Sequence, residues 1–194
     1  MADLERLTAR IRRALSQLSV RRLQVPVLGD AAVLIPILLV APRPLLLLTR
    51  RSENVGSHKG QVSFPGGMRD EGESDPARTA LRETSEELGV NTDKFEVLGQ
   101  FHEYLSITNY RVSPVIATRY GVPSLRPNQL EVARVLKIPL RFFLETKPRT
   151  EIRHREGRDI TIYFYEYQEE LVWGLTAAII HDFCAFLHDA RVLD

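Results

Sequence analysis

Three glutamates on one short helix constrain this chain more than any other feature of its sequence. Glu83, Glu86 and Glu87 are three and four residues apart, and at about 100° of rotation per residue their side chains leave the helix within one arc. Like charges at this spacing repel one another, and the helix dipole near the following Gly89 favours cations instead. A divalent cation shared by the carboxylates would offset the repulsion, and a solvated acidic surface is the alternative interpretation.

The segment before the helix favours the cation. Phe64-Pro65-Gly66-Gly67 leads into an acidic loop with Asp70, Glu71 and Glu73, and Asp75-Pro76 supplies an N-cap and a first-turn proline. An oxygen-rich loop beside a helix of carboxylates suits the hard cations Mg²⁺ and Mn²⁺.

The opposite face of this helix is predicted to pack inward. Ala77, Leu81 and Leu88, with Thr84 between them, recur at helical spacing. We therefore expect the glutamates to point outward, toward the acidic loop, and to form an exposed metal site.

Residues 67–90 resemble the signature of the Nudix hydrolases, enzymes that split a nucleoside diphosphate linked to another group. That pattern is Gly, five residues, Glu, seven residues, then Arg-Glu-aliphatic-x-Glu-Glu-x-Gly-aliphatic, and residues 82–90 match its second half. Thr84 stands at an aliphatic position, and eight residues instead of seven separate Glu73 from Arg82. Glu73 is therefore out of register, and the family's role for that glutamate is not carried over to it.

A second stretch resembles the signature of the coenzyme A pyrophosphatases within that family. The pattern is Leu-Leu-Thr-x-Arg-Ser, three residues, Arg, three residues, Gly, three residues, Phe-Pro-Gly-Gly, and residues 47–52, Gly60 and residues 64–67 match it. Gly56 stands at the second arginine of the pattern. One expected contact, to a phosphate or to the protein's own acidic site, is thus missing.

The resemblance implies a role for each site residue. Glu83, Glu86 and Glu87 would bind Mg²⁺ or Mn²⁺ together with the carbonyl oxygen of Gly66, and Arg82 would orient the glutamates. Glu83, or a glutamate outside the signature, would accept the proton of the attacking water. A metal-bound carboxylate is a poor base, so the ligand and the base need not be one residue. The expected catalytic residues are Glu83, Glu86 and Arg82.

Donors near the glycine-rich turn are the expected substrate contacts. Arg51, His58 and Gln61 suit a phosphate, although a structural role for His58 is an equal alternative. Arg50 alternates with Arg51 along a strand, so we expect only one of them to face the site. Glu131 is a further candidate for the base or an extra ligand, with a plain surface position as the alternative.

Length and composition indicate one domain, residues 1–194, with a core of its own. The net charge of +1 lacks the basic excess of nucleic-acid-binding proteins, so no nucleic-acid partner is expected. The single cysteine, Cys184, excludes internal disulfides, and its apolar neighbours predict a core position.

No membrane partner is predicted either. Prolines and an arginine interrupt the apolar stretch 31–49, and residues 1–18 have the spacing of an amphipathic helix instead of a signal peptide. We expect helix 3–17 to pack on its own domain, with a membrane or an anionic ligand as the alternative. The missing targeting signals suggest the cytoplasm.

The predicted elements form an α+β, α-β-α sandwich, and the Nudix resemblance implies a mixed sheet flanked by helices. Strands are predicted near 31–40, 45–51, 94–103, 110–118 and 133–138, with a hairpin over 150–167. Further helices are predicted at 76–88, 139–144 and 173–188.

The function expected from the resemblance is hydrolysis of coenzyme A, its thioesters or its oxidised forms to 3′,5′-ADP and 4′-phosphopantetheine. The partner is thus a small-molecule substrate, and a homodimer is left open. Two alternatives remain. The first is hydrolysis of another nucleoside diphosphate derivative, such as ADP-ribose, NADH or a dinucleotide, because Gly56 departs from the coenzyme A signature. The second is a regulator that binds a nucleotide without catalysis, which the uncompensated acidic cluster disfavours.

Overall fold

The structure is a computed structural model that describes residues 2–53, 59–155 and 157–192. Its helices are α1 (Ala2–Ser16), α2 (Pro76–Leu88), α3 (Leu140–Glu145) and α4 (Gly174–Asp189). Its strands are β1 (Gly29–Leu39), β2 (Leu45–Arg51), β3 (Val62–Ser63), β4 (Gly66–Met68), β5 (Glu96–Gln100), β6 (Tyr104–Leu105), β7 (Tyr110–Tyr120), β8 (Val132–Pro139), β9 (Arg149–Arg155), β10 (Arg158–Tyr167) and β11 (Glu170–Trp173).

The larger sheet is mixed, as expected. Its main strand order is β3-β2-β1-β7-β5, while β4 pairs with β1, β6 with β7 and β8 with β2. The central pair β1 and β7 is parallel from Gly29 and Tyr110 to Leu39 and Tyr120, and the other pairs are antiparallel. Because β4 also pairs with β1, the Gly66-Gly67 turn is fixed to the middle of the sheet.

Helices cover both faces of this sheet, which confirms the α-β-α arrangement. Alternate residues of β1 face opposite sides, as the strand period of two requires. One side packs against α1 and α4 in a cluster that includes Ile11, Leu15, Ile35, Ile37, Phe183 and Leu187. The other side packs against α2 in a cluster that includes Leu34, Leu38, Ala80, Leu88 and Val115.

A second sheet has the antiparallel order β11-β10-β9. The predicted hairpin corresponds to β9 and β10, but the last helix begins at Gly174 because the residues before it form β11. The predicted strand 94–103 is also shorter than expected. The Asn91 side chain accepts a hydrogen bond from the Asp93 amide and caps a 3₁₀ turn, Thr92–Lys94, so β5 starts only at Glu96.

Within the described residues no helix is both long enough and apolar enough to cross a bilayer.

Cys184 lies in the core, as predicted, and we expect its thiol to be unreactive in the folded protein. Burial raises the pKa of this thiol to about 12, so very little reactive thiolate forms at pH 8. Incubation with a thiol-specific disulfide reagent should leave the folded protein unmodified and modify one thiol per chain in denaturant. Rapid modification under native conditions would contradict the buried position.

Candidate active site

Caps at both ends fix the position of α2. The Asp75 side chain accepts a hydrogen bond from the Ala77 amide at 2.9 Å, and Pro76 occupies the first turn. At the other end Gly89 adopts a left-handed conformation, with φ 56°, and donates to the Ser85 carbonyl. A Cβ atom on Gly89 would lie under 3.0 Å from the carbonyl oxygen of Arg126, so glycine is also required sterically. The helix therefore starts and stops where the sequence predicts.

The three glutamates of α2 lie at different depths. The Glu86 side chain is 60% exposed, but Glu87 is only 4% exposed, and the expectation that all three point outward is wrong for Glu87. Glu87 is three residues after Thr84 and next to Leu88, both fully buried, so it shares the packed face of the helix. The Thr84 hydroxyl donates to the Ala80 carbonyl at 2.6 Å, which satisfies the polar group at the aliphatic position of the signature.

Arg82 holds the remaining two glutamates in place. Its Nη1 donates to Glu83 Oε1 at 2.8 Å and to Glu86 Oε2 at 3.2 Å, while its Nη2 donates to the Met68 carbonyl at 3.0 Å. Its Nε also lies 3.2 Å from Asp70 Oδ2. These contacts are compatible with the orienting role predicted for Arg82, which stays a prediction. It also shows that the acidic cluster is not uncompensated, because one guanidinium offsets much of the repulsion between carboxylates.

Glu73 belongs to this network despite its offset spacing. The carboxylate accepts hydrogen bonds from Arg82 Nη2 at 3.3 Å, the Thr79 hydroxyl at 2.8 Å and the Asp70 amide at 3.2 Å. The hydrogen bonds from Arg82 and Thr79 hold its pKa at about 2, well below the usual range. The loop before α2 therefore absorbs the extra residue. Sequence spacing alone gave no signal for this contact.

Glu87 of α2 faces Arg51 of β2 on the side of the site next to the sheet, which we call the inner edge. Its Oε1 lies 3.9 Å from Arg51 Nη1, the Gly66 amide donates to the carboxylate, and its Oε2 is buried without a hydrogen-bond partner. Burial raises the pKa of Glu87 to about 7, against the opposing effect of Arg51. Arg50 faces the other side of β2, 3.7 Å from Glu170 of β11. Only one of the two arginines thus points toward the glutamates.

The donor atoms of the three glutamates suit a hard divalent cation in chemistry, although their side chains are not gathered around one point. Glu83, Glu86 and Glu87 supply the carboxylate oxygens such an ion prefers, and the unsatisfied Oε2 of Glu87 calls for a positive partner. Gly67 lies directly against Glu83, where a Cβ atom would be under 3.0 Å from its carboxylate. In the described part of the chain no group of three or more His, Cys, Asp or Glu side chains is arranged to hold an ion. Arg82 Nη1 instead donates to both Glu83 and Glu86.

The remaining predicted residues have mixed outcomes. The Gln61 carbonyl accepts a hydrogen bond from the Arg51 amide at 2.9 Å, which places the residue beside the site. Glu131 is exposed and accepts from the Asn128 side chain, but its charge helps to raise the pKa of Glu87, so it lies near the inner edge. His58 and Gly56 lie outside the described residues.

The burial of Glu87 predicts that the metal-free protein loses stability as the pH rises. The folded pKa of about 7 exceeds the model-peptide value of 4.5, so between these values the unfolded chain ionises while the folded protein keeps its proton. The free energy of unfolding should therefore fall by about 3 kcal/mol from pH 4.5 to above pH 7 on account of this group. Urea unfolding in EDTA at several pH values measures the slope. Glu87→Gln should flatten it and should be the more stable protein at pH 8; equal slopes in both proteins would contradict the prediction.

Comparison with known proteins identifies the family. Residues 30–153 match the profile described as NUDIX domain. An uncharacterized Nudix hydrolase, NudL, from Photorhabdus laumondii is 43% identical over 152 residues, which cover 78% of this chain and 81% of that protein. Its counterpart from Pectobacterium atrosepticum is 39% identical over 167 residues, covering 82% and 83%.

Solved structures agree on the fold. An Ap4A hydrolase from C. elegans, in a binary complex, has a TM-score of 0.56 and 17% identity, covering 82% of this chain and 99% of that chain. The Nudix hydrolase RenU from M. smegmatis has a TM-score of 0.50 and 24% identity, covering 58% and 71%. Identities this low establish the fold alone. With the profile match and the NudL relatives, they show that the chain belongs to the Nudix hydrolases, enzymes acting on phosphoric anhydrides.

Proposed function

We propose that this protein is a pyrophosphatase that hydrolyses coenzyme A, its thioesters or its oxidised forms to 3′,5′-ADP and 4′-phosphopantetheine, or the acylated product. The observation that carries the proposal is the segment Leu47–Ser52 with Gly60 and Phe64–Gly67, which resembles the coenzyme A pyrophosphatase signature. Two of its residues, Arg51 and Ser52, contact Glu87 and Glu131 respectively. Arg51 approaches Glu87, Phe64 is buried, and the Ser52 amide donates to the Glu131 carbonyl at 2.8 Å.

Nudix hydrolases generally use divalent ions such as Mg²⁺ or Mn²⁺, and we propose Glu83, Glu86, Glu87 and the Gly66 carbonyl as the groups that hold them here. The ions would supply charge neutralisation for the two phosphoryl groups and activation of a water. Arg82 keeps Glu83 and Glu86 in position through its contacts to Glu73 and the Met68 carbonyl.

The protein's own groups then bind the substrate and accept a proton. With an ion bound to Glu87 in place of the Arg51 guanidinium, Arg51 would be free to donate to a phosphate through two parallel hydrogen bonds. Gln61 and His58 are proposed as further donors to that phosphate. We propose Glu83 as the first candidate for the base, as the family resemblance implies, although a Glu83 that binds the ion would be a poor base. Glu131 remains the second candidate for this role.

A second substrate class is kept open by one residue. Gly56 replaces an arginine of the coenzyme A signature, so a contact expected in that subfamily is missing. ADP-ribose, NADH and dinucleotides contain the same pyrophosphate bond and would use the same glutamates. We propose a single domain over 1–194, in line with its length and composition, and a cytoplasmic location.

The experiment is a substrate panel. The purified protein is incubated with coenzyme A, ADP-ribose, NADH and a diadenosine polyphosphate, each with Mg²⁺, with Mn²⁺ and with EDTA, and products are separated by chromatography with mass detection. Metal-dependent release of 3′,5′-ADP and 4′-phosphopantetheine as the fastest reaction is the expected result. Faster cleavage of another compound would overturn the substrate, and cleavage of none would overturn the proposed reaction.

A further inference from the structure

The segment that leads into β8 contacts the end of α2 that carries Glu87. The Arg126 amide donates to the Leu88 carbonyl at 2.8 Å, and the Asn128 amide donates to the Glu87 carbonyl at 2.8 Å. These carbonyls belong to the last turn of the helix, where backbone acceptors have no partner inside the helix. Pro127 lies between the two donors and has no amide hydrogen to satisfy. The segment is thus fixed to the helix end by its backbone.

The same segment is attached to β2 a few residues later. The Ser52 amide donates to the Glu131 carbonyl at 2.8 Å, and the preceding residue, Arg51, faces Glu87. Residues 128–131 therefore bridge the helix and the strand where Glu87 and Arg51 face each other. Besides burial, the negative charge of Glu131 raises the pKa of Glu87, which agrees with a position of Glu131 at the inner edge.

Within this bridge the Asn128 side chain uses both of its polar ends. Its Oδ1 accepts a hydrogen bond from the Leu130 amide at 3.1 Å, and its Nδ2 donates to Glu131 Oε1 at 2.9 Å. Its backbone carbonyl accepts from the Glu131 and Val132 amides at 3.0 and 2.8 Å. An amide group with its donor and its acceptor both engaged has one orientation. The Glu131 carboxylate is therefore held in place although the residue is exposed.

We propose that Asn128 is a positioning residue, which holds the Glu131 carboxylate at the inner edge so that it accepts the proton of the attacking water. The inference rests on the proposed pyrophosphatase activity and assigns the base to Glu131. Glu131 is not among the proposed metal ligands, so no ion lowers its basicity. In the step, the water oxygen bonds to phosphorus and the water proton passes to Glu131, while the anhydride P–O bond breaks and its electron pair goes to the leaving phosphate.

Asn128→Asp removes the donor and keeps the rest of the turn. The introduced carboxylate still has an oxygen for the Leu130 amide, but its second oxygen repels Glu131. We expect kcat on the best substrate of the panel to fall by about tenfold or more, with KM changed by less than about twofold, because a base misplaced by about 1 Å loses much of its effect. Asn128→Ser retains an acceptor for Leu130 without adding a charge, and it should show the same loss.

A double variant separates positioning from loop stability. In Asn128→Asp/Glu131→Gln the introduced glutamine amide donates to the introduced aspartate, so the hydrogen bond returns without the Glu131 carboxylate. The urea midpoint should fall in Asn128→Asp and recover in the double variant, whereas kcat should stay at the value of Glu131→Gln alone. Recovery of kcat together with the midpoint would overturn the proposal, because turnover would then need only the hydrogen bond. A further loss beyond Glu131→Gln would also overturn it, because Asn128 would then act independently of Glu131.

Asn91→Asp is the matched control. The Asn91 side chain likewise accepts a hydrogen bond from the amide two residues later, that of Asp93, at 2.8 Å, and it caps the 3₁₀ turn before β5. This variant should keep the wild-type kcat and KM. Unchanged kinetics of Asn128→Asp beside an active wild type would overturn this inference alone. A wild type that cleaves no compound of the panel would overturn the proposed function and this inference with it.

Discussion

Replacing Glu86 by Gln should reduce kcat by about a thousandfold or more while leaving the fold intact. The substitution removes one negative charge at nearly constant shape, and a divalent ion bound by fewer carboxylates contributes several kcal/mol less to a phosphoryl-transfer transition state. Glu86 is the most exposed of the three glutamates, so little packing is lost. Its contact to Arg82 at 3.2 Å is replaceable, because Arg82 keeps Glu73, Glu83 and the Met68 carbonyl.

The measurements are steady-state kinetics on the best substrate of the panel and thermal unfolding by circular dichroism. Glu71→Gln is the matched control, since Glu71 is an exposed glutamate of the neighbouring loop, and it should keep wild-type activity. Calorimetric titration with Mn²⁺ should show weaker binding in Glu86→Gln alone. Full activity with unchanged metal dependence in that variant would remove Glu86 from the site.

Local sequence rules predicted most of the scaffold. Asp75-Pro76 and Gly89 mark the two ends of α2 correctly because capping depends on a few adjacent residues. The helical spacing of Ile11 and Leu15 within the predicted helix 3–17 likewise follows from which side chains can be buried. These features are decided within one or two turns of chain, and a single sequence contains them.

The differences lie where distant segments meet. Glu87 points inward because the packing of α2 against the sheet sets how the helix is rotated about its axis. The apolar residues of the helix did not define that rotation closely enough to separate Glu87 from its neighbour Leu88. The contact between Glu73 and Arg82 depends on how a loop accommodates one extra residue. Glu170 meets Arg50 only because β11 approaches the larger sheet, and no local pattern predicts a contact between segments so far apart in the chain.

Substitution by alanine should affect two adjacent glycines differently: Gly67→Ala should lower kcat, and Gly66→Ala should lower stability. A Cβ atom at Gly67 would lie under 3.0 Å from the Glu83 carboxylate. The three atoms nearest to it all belong to that side chain, and none is a backbone atom. The flexible end of Glu83 can move aside, so Gly67→Ala should fold with near wild-type stability. The displaced carboxylate should lower kcat by about a hundredfold, the effect of a misplacement near 1 Å in an active site.

Gly66→Ala is the contrasting variant. Gly66 has φ 153°, which side chains rarely adopt, and its Cβ would lie under 3.0 Å from the Ala32 carbonyl oxygen and the Val33 Cα of β1. Backbone atoms in the centre of a sheet cannot yield, so this variant should lose several kcal/mol of stability. Urea unfolding and kcat separate the two effects. A Gly67→Ala protein with wild-type kcat would show that the close approach of Glu83 to the glycine turn has no role in turnover, whereas a stable Gly66→Ala protein would show that β4 can leave β1 without unfolding the sheet.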